Sequence, residues 1–189
     1  MTHIPFRPVL MVGEVNRKSS AQVMSEIANH DHHRVTLVIK SNGGEIDSAL
    51  ELIRKINHWR NDVTIQRAVS VHIYEAKSVA AVIALSIAEP EDIAIHTEGT
   101  IAFHRGTLIL EYSDYDLETG VIRPEVLDVM KTYREVLWNI LERHSLDKDP
   151  NLMAEFFGSN WLRFDAKAGL AHGLAGTIFS GNPQPYGSP

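Results

Sequence analysis

Apolar and polar positions alternate between two periods through the first hundred residues. PVLMV (8–12) is a short apolar run ending at Gly13 and predicts a strand. SSAQVMSEIA (19–28) has helical spacing, with Ser19 or Ser20 in place to cap it. RVTLVIK (34–40) is apolar and β-branched enough for a buried strand, and the glycine turn SNGG (41–44) follows it. Ile46, Ala49, Leu50, Ile53 and Ile56 then form the stripe of an amphipathic helix. VTIQRAVSVHI (63–73) predicts the next strand, and the almost wholly apolar run from Ser78 to Glu89 predicts a buried helix. DIAIH and TIAFH read as two short strands with a turn at Glu98-Gly99. Strands alternating with helices predict an α/β fold on a mainly parallel sheet with right-handed crossovers.

The pattern changes after His104. GTLILEYSDYDLETGVIRP mixes alternating and acidic pieces, as an extended excursion or hairpin would. EVLDVMKTYREVLWNILERH (125–144) puts Val126, Met130, Tyr133, Leu137 and Ile140 on one face of a long helix. PNLMAEFF predicts a short helix opened by Pro150. DAKAGLAHG predicts another, capped by Asp165 and stopped by Gly173. With no repeat and no linker, residues 1–179 are expected to form a single domain. The Pro/Gly/Ser-rich residues 180–189 are expected to be a disordered tail.

A length of 189 residues suits one core of useful size. The net charge of −6, without a basic block, disfavours nucleic acid and anionic membranes as partners. The absence of cysteine removes disulfides, thiolate metal sites and a cysteine nucleophile. The N-terminus has no signal-peptide pattern, and the run after Ser78 is far short of the roughly 20 residues of a membrane helix. A cytoplasmic protein is expected.

Three features sit at comparable places in successive βα units. The paired glycines of SNGG can leave a backbone N–H open to a developing oxyanion, although any tight βα turn uses glycine in this way. Ser78 heads the buried helix, where the amide of Val79 and the helix dipole favour negative charge. An ordinary N-cap serine explains the same position. His104 ends TIAFH and can serve as a general base, or be one more part-buried histidine among ten. HDHH (30–33) has loop rather than metal-ligand spacing, and EYSDYDLE (111–118) lacks the spacing of a calcium loop. No metal or other cofactor is expected.

Taken in order, PVLMVGEV, VTLVIKSNGGEIDSALELI, SVHIYEAKSVAAVIALSIAE, IAFHRG, YREVLWNILERH and FDAKAGLAHGLAGTIF resemble the proteolytic subunit of Clp proteases over roughly residues 8–179. The resemblance implies a ClpP/crotonase-like spiral of ββα units, with the long helix 125–144 taking part in ring stacking. It implies a serine endopeptidase with Ser78 as nucleophile, His104 as base, and the amides of Gly44 and Val79 as oxyanion hole. Implied partners are peptides or unfolded protein, further copies of the chain in a ring, and an ATPase unfoldase.

The sequence departs from that family in one respect that bears on chemistry. The triad aspartate would fall near Phe157 or Gly158, and no aspartate is there. Asn160 is a candidate third member, since its carbonyl oxygen can orient a histidine. Glu155 and Ser159 are nearby alternatives. Lys77, beside Ser78, is an alternative base of the Ser-Lys type. The departure leaves room for a catalytically impaired assembly or regulatory subunit. A crotonase-type acyl-CoA enzyme is a further alternative, with Glu45 as its carboxylate.

Overall fold

The computed structural model describes residues 8–30, 33–61, 67–106, 114–116, 118–159 and 161–181. The elements run β1 (Val9–Val15), α1 (Arg17–Ala28), β2 (Arg34–Gly44), α2 (Ile46–Arg60), β3 (Ala68–Lys77), α3 (Val79–Ile87) and β4 (Ile93–His104). They continue with α4 (Pro124–Arg143), α5 (Pro150–Ser159), β5 (Trp161–Asp165), α6 (Ala166–Ala171) and β6 (Thr177–Phe179).

One sheet joins β1-β2-β3-β4-β5, and β6 pairs with β4 off that path. The first four strands follow chain order and pair in parallel, so right-handed crossovers put α1, α2 and α3 on a single face. Beneath that face α3 lies deepest: Val79 to Leu85 and Ile87 are all buried. It packs against β2, β3, α2 and α4, which is why its sequence has no polar stripe. Each of its large aliphatic side chains contributes roughly 1.5–3 kcal/mol by burial, an upper bound set by the extended reference chain. The rigid floor under Ser78 is therefore made of hydrocarbon.

Several boundaries differ from the sequence pattern for local reasons. β1 does not stop at Gly13; the residue takes φ 87 in a bulge, and pairing resumes at Glu14. SNGG is not a free turn but the end of β2, held between Val15 of β1 and Ala76 of β3. α1 is capped by Asn16, whose Oδ1 accepts from Ser19 N–H while Ser19 Oγ accepts from Asn16 N–H, so neither Ser19 nor Ser20 is the cap. DIAIH and TIAFH form one strand. It departs from β3 after Ile95 and rejoins at Thr100, so the expected turn at Glu98-Gly99 becomes an excursion within β4.

That excursion forks the sheet. Residues 94–96 pair with β6 in parallel, while 100–104 pair with the antiparallel β5. β5 had no clear sequence signal, and it fixes the limb that ends in His104. Asp165 does cap α6, accepting from Ala168 N–H at 2.8 Å, and Gly173 follows the helix at φ 66. Beyond His104, Tyr115 bridges Ile122 in antiparallel fashion around a turn held by Asp116, whose carboxylate is pushed below its usual range by hydrogen bonds from Thr119 and Glu118. Most of the acidic excursion, Asp31 and His32 of the histidine run, Asn160 and the tail from 182 onward lie outside the described residues. No helix among the described residues is long and apolar enough to cross a membrane, and no described cluster of His, Asp and Glu is arranged to hold a metal.

Among the described residues, burial holds His72, His104 and His144 below their usual pKa of 6.5. For His144 the neighbouring Arg143 acts in the same direction. The unfolded chain, with ordinary histidines, therefore binds protons first as pH falls. Stability is fully present above about pH 6.5 and is lost progressively below it. Thermal melts are expected to show a lower Tm at about pH 5.5 than at about pH 7.5, and an equal or higher Tm at the acid end would contradict this assignment.

Candidate active site

The site forms where β3 hands over to α3 beside the end of β4. Lys77 pairs with Ala102, and Ser78 N–H donates to Ala102 O at 2.7 Å. This parallel register carries the next side chain of β3 to the end of β4, two residues further along. Ser78 Oγ lies 2.8 Å from His104 Nε2.

Ser78 precedes the first turn of α3, yet its side chain makes no capping hydrogen bond. The N-cap explanation of its sequence position thus fails for the hydroxyl. The backbone is strained, with φ 53 and ψ −129; only one other described non-glycine residue, Ser145, has positive φ. Such a conformation costs on the order of 1–3 kcal/mol and persists only where the surroundings enforce it. Here it turns the chain sharply from strand to helix and lifts Oγ out toward His104. Ser78→Gly and Ser78→Ala both delete the hydroxyl, but only glycine relieves φ. The glycine variant is expected to be more stable than the alanine variant by about 1 kcal/mol, read from their melting curves.

The glycine turn closes on this serine from below. A Cβ on Gly43 would lie 2.6 Å from Ser78 Cβ, so Gly43 is the glycine that abuts the nucleophile candidate, a contact the sequence did not single out. Gly44 faces β1 instead, where a Cβ would meet Val15 O at 2.0 Å. Gly43 N–H donates to Ser41 Oγ at 3.1 Å and Glu45 N–H to Val15 O at 2.8 Å. Across the site, Val79 begins α3. The amides of Ala81 and Val82 close onto Ser78 O, whereas Val79 N–H precedes the first intrahelical bond.

His104 is half-buried. Trp161 of β5 packs on its ring at 4.3 Å between centroids, a consequence of the His104–Trp161 register pair. Burial lowers the imidazole pKa and keeps it neutral near pH 7. Its Nδ1 accepts a hydrogen bond from Gly106 N–H at 3.1 Å, and Tyr133 OH of α4 donates to its backbone carbonyl at 3.0 Å. Lys77 is turned elsewhere, paired with Glu75 and donating to Asn42 Oδ1 at 3.1 Å. Glu45 accepts from Ser48 Oγ at 2.6 Å.

The chain matches the Clp protease family over residues 4–181, nearly its whole length. It belongs to that family. Two solved structures agree at the level of fold. The ClpP protease catalytic domain from Plasmodium falciparum superposes with a TM-score of 0.64 at 17% identity, covering 96% of this chain and 90% of that one. A ClpP1 point mutant from Listeria monocytogenes gives 0.63 at 17% identity, covering 94% and 93%. No curated protein matches significantly. As a Clp protease family member, the chain has the ClpP-like α/β fold expected from its sequence order.

Proposed function

We propose that this chain is a Clp-protease-like serine endopeptidase in which Ser78 is the nucleophile and His104 the general base. The carrying observation is the 2.8 Å approach of Ser78 Oγ to His104 Nε2, between residues 26 apart in sequence. In the attack, Oγ bonds to the substrate carbonyl carbon as its proton passes to Nε2. The carbonyl oxygen becomes an oxyanion facing the amides of Gly44 and Val79, each such donor contributing about 3 kcal/mol. The engagement of the Gly43 and Glu45 amides on either side supports Gly44 as the donor the turn has to offer. Nε2–H then protonates the leaving amine, the C–N bond breaks, and water releases the acyl group by the reverse proton path.

In this cycle the imidazole must carry a proton on Nδ1 before attack, and Asn160 is the residue proposed to accept it. The mechanism uses no metal or other cofactor. Substrates are peptides or unfolded protein, presented in a homo-oligomeric ring of the Clp type with an ATPase unfoldase as feeder in the cytoplasm. Exposed Leu127 and Trp138 on α4 supply apolar surface for contacts between copies.

The test is cleavage of fluorogenic peptides, followed together with assembly mass. Turnover by ring-sized assemblies supports the reading. Ring-sized assemblies with no turnover on any peptide of a diverse set would overturn it.

A further inference from the structure

The hydrogen bond on the far side of His104 has a direction, and that direction fixes a proton. Gly106 offers Nδ1 an amide N–H, which can only donate. Nδ1 must therefore present its lone pair, and the proton of the neutral ring resides on Nε2. Nε2 is the atom 2.8 Å from Ser78 Oγ. In this arrangement the ring donates to the hydroxyl, the reverse of what a general base does. Among the described residues Gly106 is the single hydrogen-bond partner of Nδ1.

The contact is built into the fold at both ends. β4 stops at His104, and Gly106 at φ +84 turns the chain so that its N–H points back at the ring. A Cβ on Gly106 would lie 2.8 Å from Tyr133 Cε1, so the glycine is seated on the tyrosine ring. Tyr133, 1% exposed, also donates its hydroxyl to His104 O at 3.0 Å. One side chain from α4 thus holds both residues of the His104–Gly106 pair.

We propose that Gly106, braced by the positioning residue Tyr133, locks His104 in the Nε2–H tautomer, so that the site rests in an off state. Ser78 is activated only when Nδ1 exchanges the Gly106 amide for an acceptor. The functional consequence rests on the peptidase reading above; the lock itself does not. One net hydrogen bond biases such an equilibrium about fivefold, which leaves the Nδ1–H form a minority.

The direct test is the ¹⁵N spectrum of histidine-labelled full-length protein at about pH 8, where the ring is neutral. His104 is assigned by its loss in His104→Gln. The wild type is expected to show a protonated Nε2 and an unprotonated Nδ1; a dominant Nδ1–H form overturns the proposal. Gly106→Ala drives a Cβ into Tyr133 and must move the amide, so it is expected to raise the Nδ1–H share and to speed phosphonylation of Ser78 at least about threefold. Tyr133→Phe is expected to act in the same direction more weakly, and covers the case where Gly106→Ala does not fold. An unchanged tautomer in a folded Gly106→Ala protein also overturns the lock. If the ring proton moves but Ser78 never reacts, the lock stands and the peptidase reading falls.

Discussion

Ser78→Ala is expected to lower peptide hydrolysis by at least about a thousandfold while leaving the fold in place. The size follows from what is removed. On the proposed mechanism, without Oγ there is no acyl-enzyme and His104 has no hydroxyl to deprotonate; what remains is whatever the amides proposed for the oxyanion, Gly44 and Val79, do for attack by water. The fold survives because the side chain of Ser78 caps nothing and its backbone bond to Ala102 is kept. Steady-state hydrolysis of a fluorogenic peptide, with circular dichroism as the control for folding, measures both. A loss of less than tenfold would mean that Ser78 is not the nucleophile.

Gly44→Ala is expected to be the most damaging small substitution in the turn, for a reason unconnected with chemistry. Its Cβ would fall 2.0 Å from Val15 O and 2.8 Å from Val15 C, both backbone atoms that no rotamer change can clear. β1 must separate from the end of β2, taking with it the bond from Glu45 N–H to Val15 O. About 3 kcal/mol or more is expected, a drop of roughly 6–12 °C in Tm for a chain of this size. Gly173→Ala is the control. It also has positive φ, but nothing lies within 4 Å of the added Cβ, so only about 1–2 kcal/mol of backbone strain is expected. Equal melting temperatures for the two variants would contradict the packing described at the end of β2.

The apolar periods made the parallel half of the sheet legible, because β1 to β4 pair in chain order, α1 and α2 carry apolar stripes, and α3 is one continuous apolar run. Asp165 and Gly173 bounded α6 as their chemistry dictates. The end of β2 was not legible. Glycines in SNGG signal a turn, and only the neighbouring strands extend the ladder through them. Ser78 and His104 each had an ordinary explanation from local sequence. Family order singled them out, and their proximity depends on a strand register that no local pattern encodes. Trp161, Gly106 and Tyr133 had no chemical signal at all. A tryptophan, a glycine and a helix-stripe tyrosine meet His104 only because β5 folds back on β4 and α4 packs against the turn that follows it.

A peptidase of this kind requires Ser78 to be a histidine-activated nucleophile. The most direct measurement is reaction of the full-length protein with a fluorophosphonate probe, followed by mass mapping of the adduct. One adduct per chain is expected, on Ser78, and its formation is expected to disappear in His104→Ala. Absence of any adduct while a control hydrolase is labelled under the same conditions, or an adduct that forms equally fast without His104, would contradict it.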